Sequence, residues 1–116
     1  MQTVSGIVEK GEQRGKQLGF PTANIPLGKL DLSGSYVGRV SVDSHLYDAA
    51  LYADVTREIL EAHLLDFDGD LYDKTITVEI IEKIRESAPF VDDEQMSHAI
   101  QGDIDRVRGY RAKHKS

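Results

Sequence analysis

The chain contains no cysteine, so neither a disulfide framework nor a thiolate metal site can form, which suits a reducing compartment. Long apolar runs are missing as well. No segment approaches the ~20 apolar residues that a spanning helix needs. The amino end, MQTVSGIVEKG, is too polar for a signal peptide. These absences lead us to expect a cytoplasmic protein with no membrane partner. Positive charge is scarce: 14 Lys and Arg against 20 Asp and Glu leave a net charge of −6, which argues against a nucleic-acid partner. The basic tail RVRGYRAKHK is a local exception, read as a solvated helix end with cations near the negative pole of the dipole. The four histidines, His45, His63, His98 and His114, are widely separated, and no pair has metal-ligand spacing on a helix.

What is present is an ordinary apolar fraction, 40% of 116 residues, enough for one domain with one modest core. Thr3 to Glu9 reads as a strand, with Gly6 marking a bend or a close backbone approach. Tyr36 to Val42 alternates, with Tyr36, Val40 and Val42 on one side. After the turn DSH, Leu46 to Tyr52 completes a hairpin. Ile59 to Phe67 is apolar enough for another strand. Thr75 to Ile84 alternates with Ile76, Val78, Ile80 and Ile84 inward and Thr75, Thr77, Glu79 and Lys83 outward.

The last element changes period. Met96, Ile100, Ile104 and Val107 recur at helical spacing, Asp92 with Gln95 three residues on can cap the start, and Gly109 is a candidate stop. Several strands followed by one helix exclude βαβ alternation and so a parallel nucleotide-binding sheet. Short strands must hide their edges, and closure into a barrel does that. The expectation is one domain over residues 1–116, a small mainly β barrel over about 2–90 and a helix over about 92–109 lying against it or plugging one end.

The stretch RGKQLGFPTAN, Arg14 to Asn24, fits neither a helix nor a full strand. Around it Gly11, Gly15 and Gly19 alternate with Lys10, Arg14 and Lys16. Glycine lets backbone N–H groups approach an anion, so this is either a phosphate-binding loop or a long solvated hairpin loop. It is not a Walker loop, because GEQRGKQ has the wrong spacing and no hydroxyl after the lysine. Pro21 extends the chain behind it. Thr22 and Asn24, two apart, then point to the same side, and their neutral oxygens suit either magnesium carrying phosphate or simple completion of a turn. Glu61, in ILEAHLL, alternates away from Leu60, Ala62 and Leu64. It is either a solvated strand-face acid or a functional one.

The segment GIVEKGEQRGKQLGFPTANI resembles the signature of the ATP-dependent riboflavin kinases, including the kinase module of bifunctional bacterial FAD synthetases. The resemblance continues through GSYVGRV, LEAHLLDFDGDLYDKTITV and IRESAPF to AIQGDI. It implies a six-stranded antiparallel Greek-key barrel with a C-terminal helix, and transfer of the ATP γ-phosphate to the riboflavin 5′-hydroxyl to give FMN and ADP. It further implies that Thr22 and Asn24 bind magnesium, or another divalent cation such as zinc or manganese, together with the nucleotide phosphates. Gly15, Lys16 and Gly19 would close over ATP, Glu61 would be the base, and Arg85 and Phe90 would help form the riboflavin site. A monomer is expected.

The chain also departs from the family pattern. LYADVTREILEAH is shorter than the usual segment before the glutamate and lacks its proline, and Asp73 replaces the usual glycine of LYGK. Both changes bear on the shape of the site near ATP. An adenylyltransferase module is not seen in the sequence, so FMN rather than FAD is the expected product. The competing readings are a flavin- or nucleotide-binding protein on the same barrel that has lost catalysis, and the excised kinase half of a bifunctional synthetase.

Overall fold

The computed structural model describes residues 2–9, 22–67 and 69–114. Six strands are followed by one helix: β1 (Gln2–Ile7), β2 (Ala23–Pro26), β3 (Gly34–Val42), β4 (His45–Asp54), β5 (Ile59–Leu64), β6 (Thr75–Arg85) and α1 (Asp93–Lys113). Every paired strand is antiparallel, in the spatial order β1-β6-β3-β4-β5-β2. The two edges meet just beyond β1. There Glu9 bridges Asn24 and its N–H donates to the Asn24 carbonyl at 2.6 Å. The sheet is therefore a nearly closed barrel, its two edge strands joined among the described residues at this single bridge.

Alternation decides which residues fill it. Ile25, Val40, Leu51, Leu60, Ile76 and Val78 are each under 2% exposed and form the interior. Gly38 faces the same interior. A Cβ there would lie 2.6 Å from the Glu79 carbonyl oxygen and would collide with the Leu51 side chain. Gly6 makes the close approach expected of it, since its Cβ would stand 3.1 Å from that of Ile25 across the seam. The β3–β4 turn has two central residues, Asp43 and Ser44, both at positive φ (50° and 66°), the geometry whose twist matches a tight hairpin.

A second, smaller apolar layer lies outside the barrel, where α1 packs on β3 and β4. Val37, Ala50, Leu65, Ile104 and Val107 form it, with Ile81, Ile84, Ile100 and Tyr110 around them. Ile84 was expected in the barrel interior, and the structure corrects this. The register of β6 against β3 shifts twice, leaving Ile81 and Ile84 as extra residues. Ile81 alternates outward from Ile80, and the extra residue reverses the facing of the strand beyond it, so Ile84 also turns towards the helix. Lys83, expected outward, is exposed, and its ammonium stands 5.7 Å from the Tyr36 ring centroid.

The helix begins as its sequence suggests. Asp92 accepts the Gln95 N–H at 2.9 Å, and the Gln95 side chain accepts the Val91 N–H at 2.9 Å, a reciprocal cap. Its end is later than expected: α1 runs through Gly109 to Lys113. Tyr110 is half-buried against the apolar layer, and the His114 ring stacks on it at 4.0 Å. These contacts outweigh the ~1 kcal/mol that a mid-helix glycine costs. Asp73, the departure from the family glycine, sits at φ 71°. The backbone bend survives there because aspartate tolerates the left-handed region better than most residues. Among the described residues no helix is long and apolar enough to cross a membrane.

Candidate active site

The walls of a cleft of about 290 Å³ come from β4, β5, the end of β6 and the first turns of α1. Its depth is set by the register of three strands. Asn24 on β2 pairs with Glu61 on β5, and Glu61 pairs in turn with Tyr52 on β4. The flanking residues Ala23, Ile25, Leu60 and Ala62 fill the barrel. The polar residues between them therefore project from the outer face. Thr22 lines the same cleft and donates from Oγ1 to Asn24 Oδ1 at 3.4 Å. Asn24 itself is only 3% exposed, so its amide is held among partners rather than dissolved in water.

Another part of the cleft lining is apolar and cationic. Phe90, Met96 and Ile100 line it with Ala88 and Pro89. The Arg85 guanidinium stands 5.8 Å from the Phe90 ring centroid. Arg85 is fixed by a two-pronged pair with Asp103 of α1: Nε donates to Oδ1 at 3.0 Å and Nη2 to Oδ2 at 2.9 Å. Ser35 Oγ, fully buried, also donates to Asp103 Oδ2 at 2.9 Å. A nearly buried carboxylate is tolerable only with such partners. The cluster ties the helix wall to β3 and β6.

The cleft is also lined by an ion-pair chain. Arg57, in the loop between β4 and β5, donates from Nε to Asp54 Oδ2 at 2.8 Å and from Nη2 to Glu61 Oε1 at 3.2 Å. Its backbone N–H also reaches Asp54 Oδ1 at 3.1 Å. Burial pushes the Asp54 carboxyl up, but the hydrogen bonds and charge of Arg57 outweigh it and hold the group below its ordinary value. Among the described residues there is no group of three or more His, Asp or Glu that could hold a metal ion.

The family model described as Flavokinase, riboflavin kinase, matches residues 1–111. The chain belongs to the riboflavin kinase family. It is 35% identical over 118 residues to a bifunctional riboflavin kinase/FMN adenylyltransferase of Pseudomonas fluorescens, covering 94% of this chain and 38% of that protein. It is 31% identical to an RNA-binding riboflavin kinase of Bacillus subtilis, covering 92% of this chain and 50% of the relative. The chain thus spans half or less of the length of these relatives. A crystal structure of riboflavin kinase from Trypanosoma brucei superposes with a TM-score of 0.69 at 25% identity, over 97% of this chain and 81% of that one.

Of the residues that the riboflavin kinase resemblance singled out, Thr22, Glu61, Arg85 and Phe90 line one cleft, and Asn24 sits behind it, bonded to Thr22 and paired across the strands with Glu61. Gly15, Lys16 and Gly19 lie outside the described residues. Sequence reasoning missed Asp54, Arg57 and Asp103. A signal existed for Asp103: it falls on the apolar stripe of Met96, Ile100 and Val107, where a carboxylate demands a cation from another element. Arg57 gave only its spacing, four residues before Glu61.

Proposed function

We propose that this chain is a riboflavin kinase that transfers the γ-phosphoryl group of ATP to the 5′-hydroxyl of riboflavin. The observation that carries this reading is the cleft itself. Glu61 and Thr22 line the same cleft as the apolar residues Phe90, Met96 and Ile100, and Asn24, bonded to Thr22, pairs across the strands with Glu61. A planar flavin needs the apolar residues and a charged triphosphate the polar ones.

Phosphoryl transfer asks a protein mainly to position reactants and answer charge. In the proposed reaction the riboflavin 5′ oxygen attacks the γ-phosphorus and its proton passes to a Glu61 carboxylate oxygen. The bond from the γ-phosphorus to the bridging oxygen breaks, its electron pair leaving with ADP, and FMN is the second product. Glu61 needs only to lie within hydrogen-bond reach of the alcohol. Arg85 and Phe90 orient the flavin, with Asp103 holding Arg85 in place. By the family resemblance, Gly15, Lys16 and Gly19 close over ATP.

Neutral, hard oxygens fit a divalent cation that brings its own phosphate oxygens and waters, and magnesium suits such a set better than a softer metal. Thr22 Oγ1 and Asn24 Oδ1 would hold it. Bound there, the cation would neutralise charge on the nucleotide phosphates. The net charge of −6 supports small-molecule rather than nucleic-acid partners.

The test is incubation with riboflavin, ATP and magnesium, with FMN and ADP separated by chromatography. Absence of FMN from folded protein with ATP, CTP or GTP supports the second reading, a flavin or nucleotide binder. That reading is favoured by one observation, the engagement of Glu61 by Arg57.

A further inference from the structure

The loop between β4 and β5 has four residues, 55–58, closed by the pairing of Asp54 with Ile59. Its turn is pinned without Glu61: Asp54 accepts both the Arg57 N–H and its Nε, and the Glu58 carbonyl accepts the Leu27 N–H at 2.9 Å. The reach of Arg57 Nη2 to Glu61 is thus an addition that the turn does not require. All three side chains line the cleft that Thr22 also lines. They are only part-buried, at 30% exposure for Arg57, 21% for Asp54 and 23% for Glu61, so burial does not lock the pair.

A carboxylate paired with a guanidinium is a stabilised anion and a poorer base. The planar guanidinium also matches phosphate oxygens, and a phosphoryl group carries more charge than a carboxylate. We propose that Arg57 is a catalytic residue for the transferring phosphoryl group, parked on Glu61 until nucleotide arrives. Its Nη atoms then pass to the non-bridging oxygens of the γ-phosphate while Nε stays on Asp54. Arg57 makes and breaks no covalent bond. The exchange neutralises charge on the phosphoryl group and withdraws Arg57 Nη2 from Glu61 Oε1. This rests on the kinase reading above.

The test compares the parent, Arg57→Lys and Arg57→Ala by steady-state kinetics, with thermal melts and riboflavin fluorescence titrations alongside. For Arg57→Ala, kcat should fall by about a hundredfold or more and KM for ATP should rise, with riboflavin affinity unchanged. Arg57→Lys should recover part of the rate. Millimolar guanidinium, well below denaturing levels, should restore part of kcat to Arg57→Ala and do nothing for the parent. An active parent with an Arg57→Ala variant within about threefold of it in kcat overturns this inference alone. So does a rate loss that tracks a lowered Tm and ignores guanidinium. A parent that forms no FMN overturns the kinase reading and this inference with it.

Discussion

Asn24 stands directly opposite Glu61 in the antiparallel pairing of β2 with β5. The proposed metal-side oxygen and the proposed base are therefore cross-strand neighbours, with Cβ atoms about 5 Å apart in such a pair. A slip of one residue would send both into the barrel interior. Ile25 and Leu60, paired next to them and both fully buried, forbid that slip.

Glu61→Gln keeps this geometry and removes the charge. Turnover should fall by roughly a hundredfold or more, the usual worth of a general base, while riboflavin and ATP still bind. The loss should sit in kcat rather than KM. Kinetics on both proteins with separate fluorescence binding decide it. Near-parental turnover would return Glu61 to a strand-face acid.

Thr22→Ala and Asn24→Ala should each lower kcat/KM by about ten- to a hundredfold and raise the magnesium concentration needed for half-maximal rate. Serving one ion, the two should not add, so the double variant should lie close to the worse single. A magnesium titration of all four proteins measures this. Unchanged magnesium dependence in both singles removes the assignment.

The Arg85–Asp103 pair predicts an asymmetry in stability. Arg85→Ala leaves the Asp103 carboxylate, 10% exposed, with the Ser35 hydroxyl as its support in the cluster, and should cost about 3 kcal/mol. Asp103→Asn keeps a Ser35 contact and leaves a guanidinium that is 27% exposed and can turn to water, and should cost about 1–2 kcal/mol. Urea denaturation gives both values. A larger loss for Asp103→Asn would contradict the account. Riboflavin affinity should drop in both, because the helix wall of the cleft is anchored through this pair.

Asp54 gives a pH signature. Arg57 lowers its folded pKa below the ordinary 3.8, against the upward push of burial. Its contribution is therefore complete above the unfolded value and is lost as pH falls through the folded one. The difference in Tm between the parent and Asp54→Asn should be steady from about pH 7 to about pH 5 and shrink towards about pH 3. A gap that stays constant through that acid range would show that the carboxylate charge contributes nothing to folding.

Much of this was determined by the residues themselves. The alternation along Ile59–Leu64 put Leu60, Ala62 and Leu64 in the core and Glu61 and His63 outside, as found. Asp92 with Gln95 marked the helix start, and the family signature picked out Thr22, Asn24 and Glu61 before any contact was known. Periodicity reports the two faces of one element, because side-chain direction is a local property of φ and ψ.

Which faces meet was decided only by the tertiary structure. The extra residues Ile81 and Ile84 arise from a mismatch in length between β6 and β3, which neither strand shows alone, and they moved Ile84 from the barrel to the helix. Arg85 and Asp103 lie 18 residues apart, and only the docking of α1 against β3 and β4 makes them a pair. Arg57 reads in the sequence as one more loop cation. It becomes part of the cleft because the tight four-residue turn, held by Asp54, aims its guanidinium back along β5 at Glu61. A contact between distant residues depends on register, bulges and turn geometry at once, and those are settled by packing the whole chain.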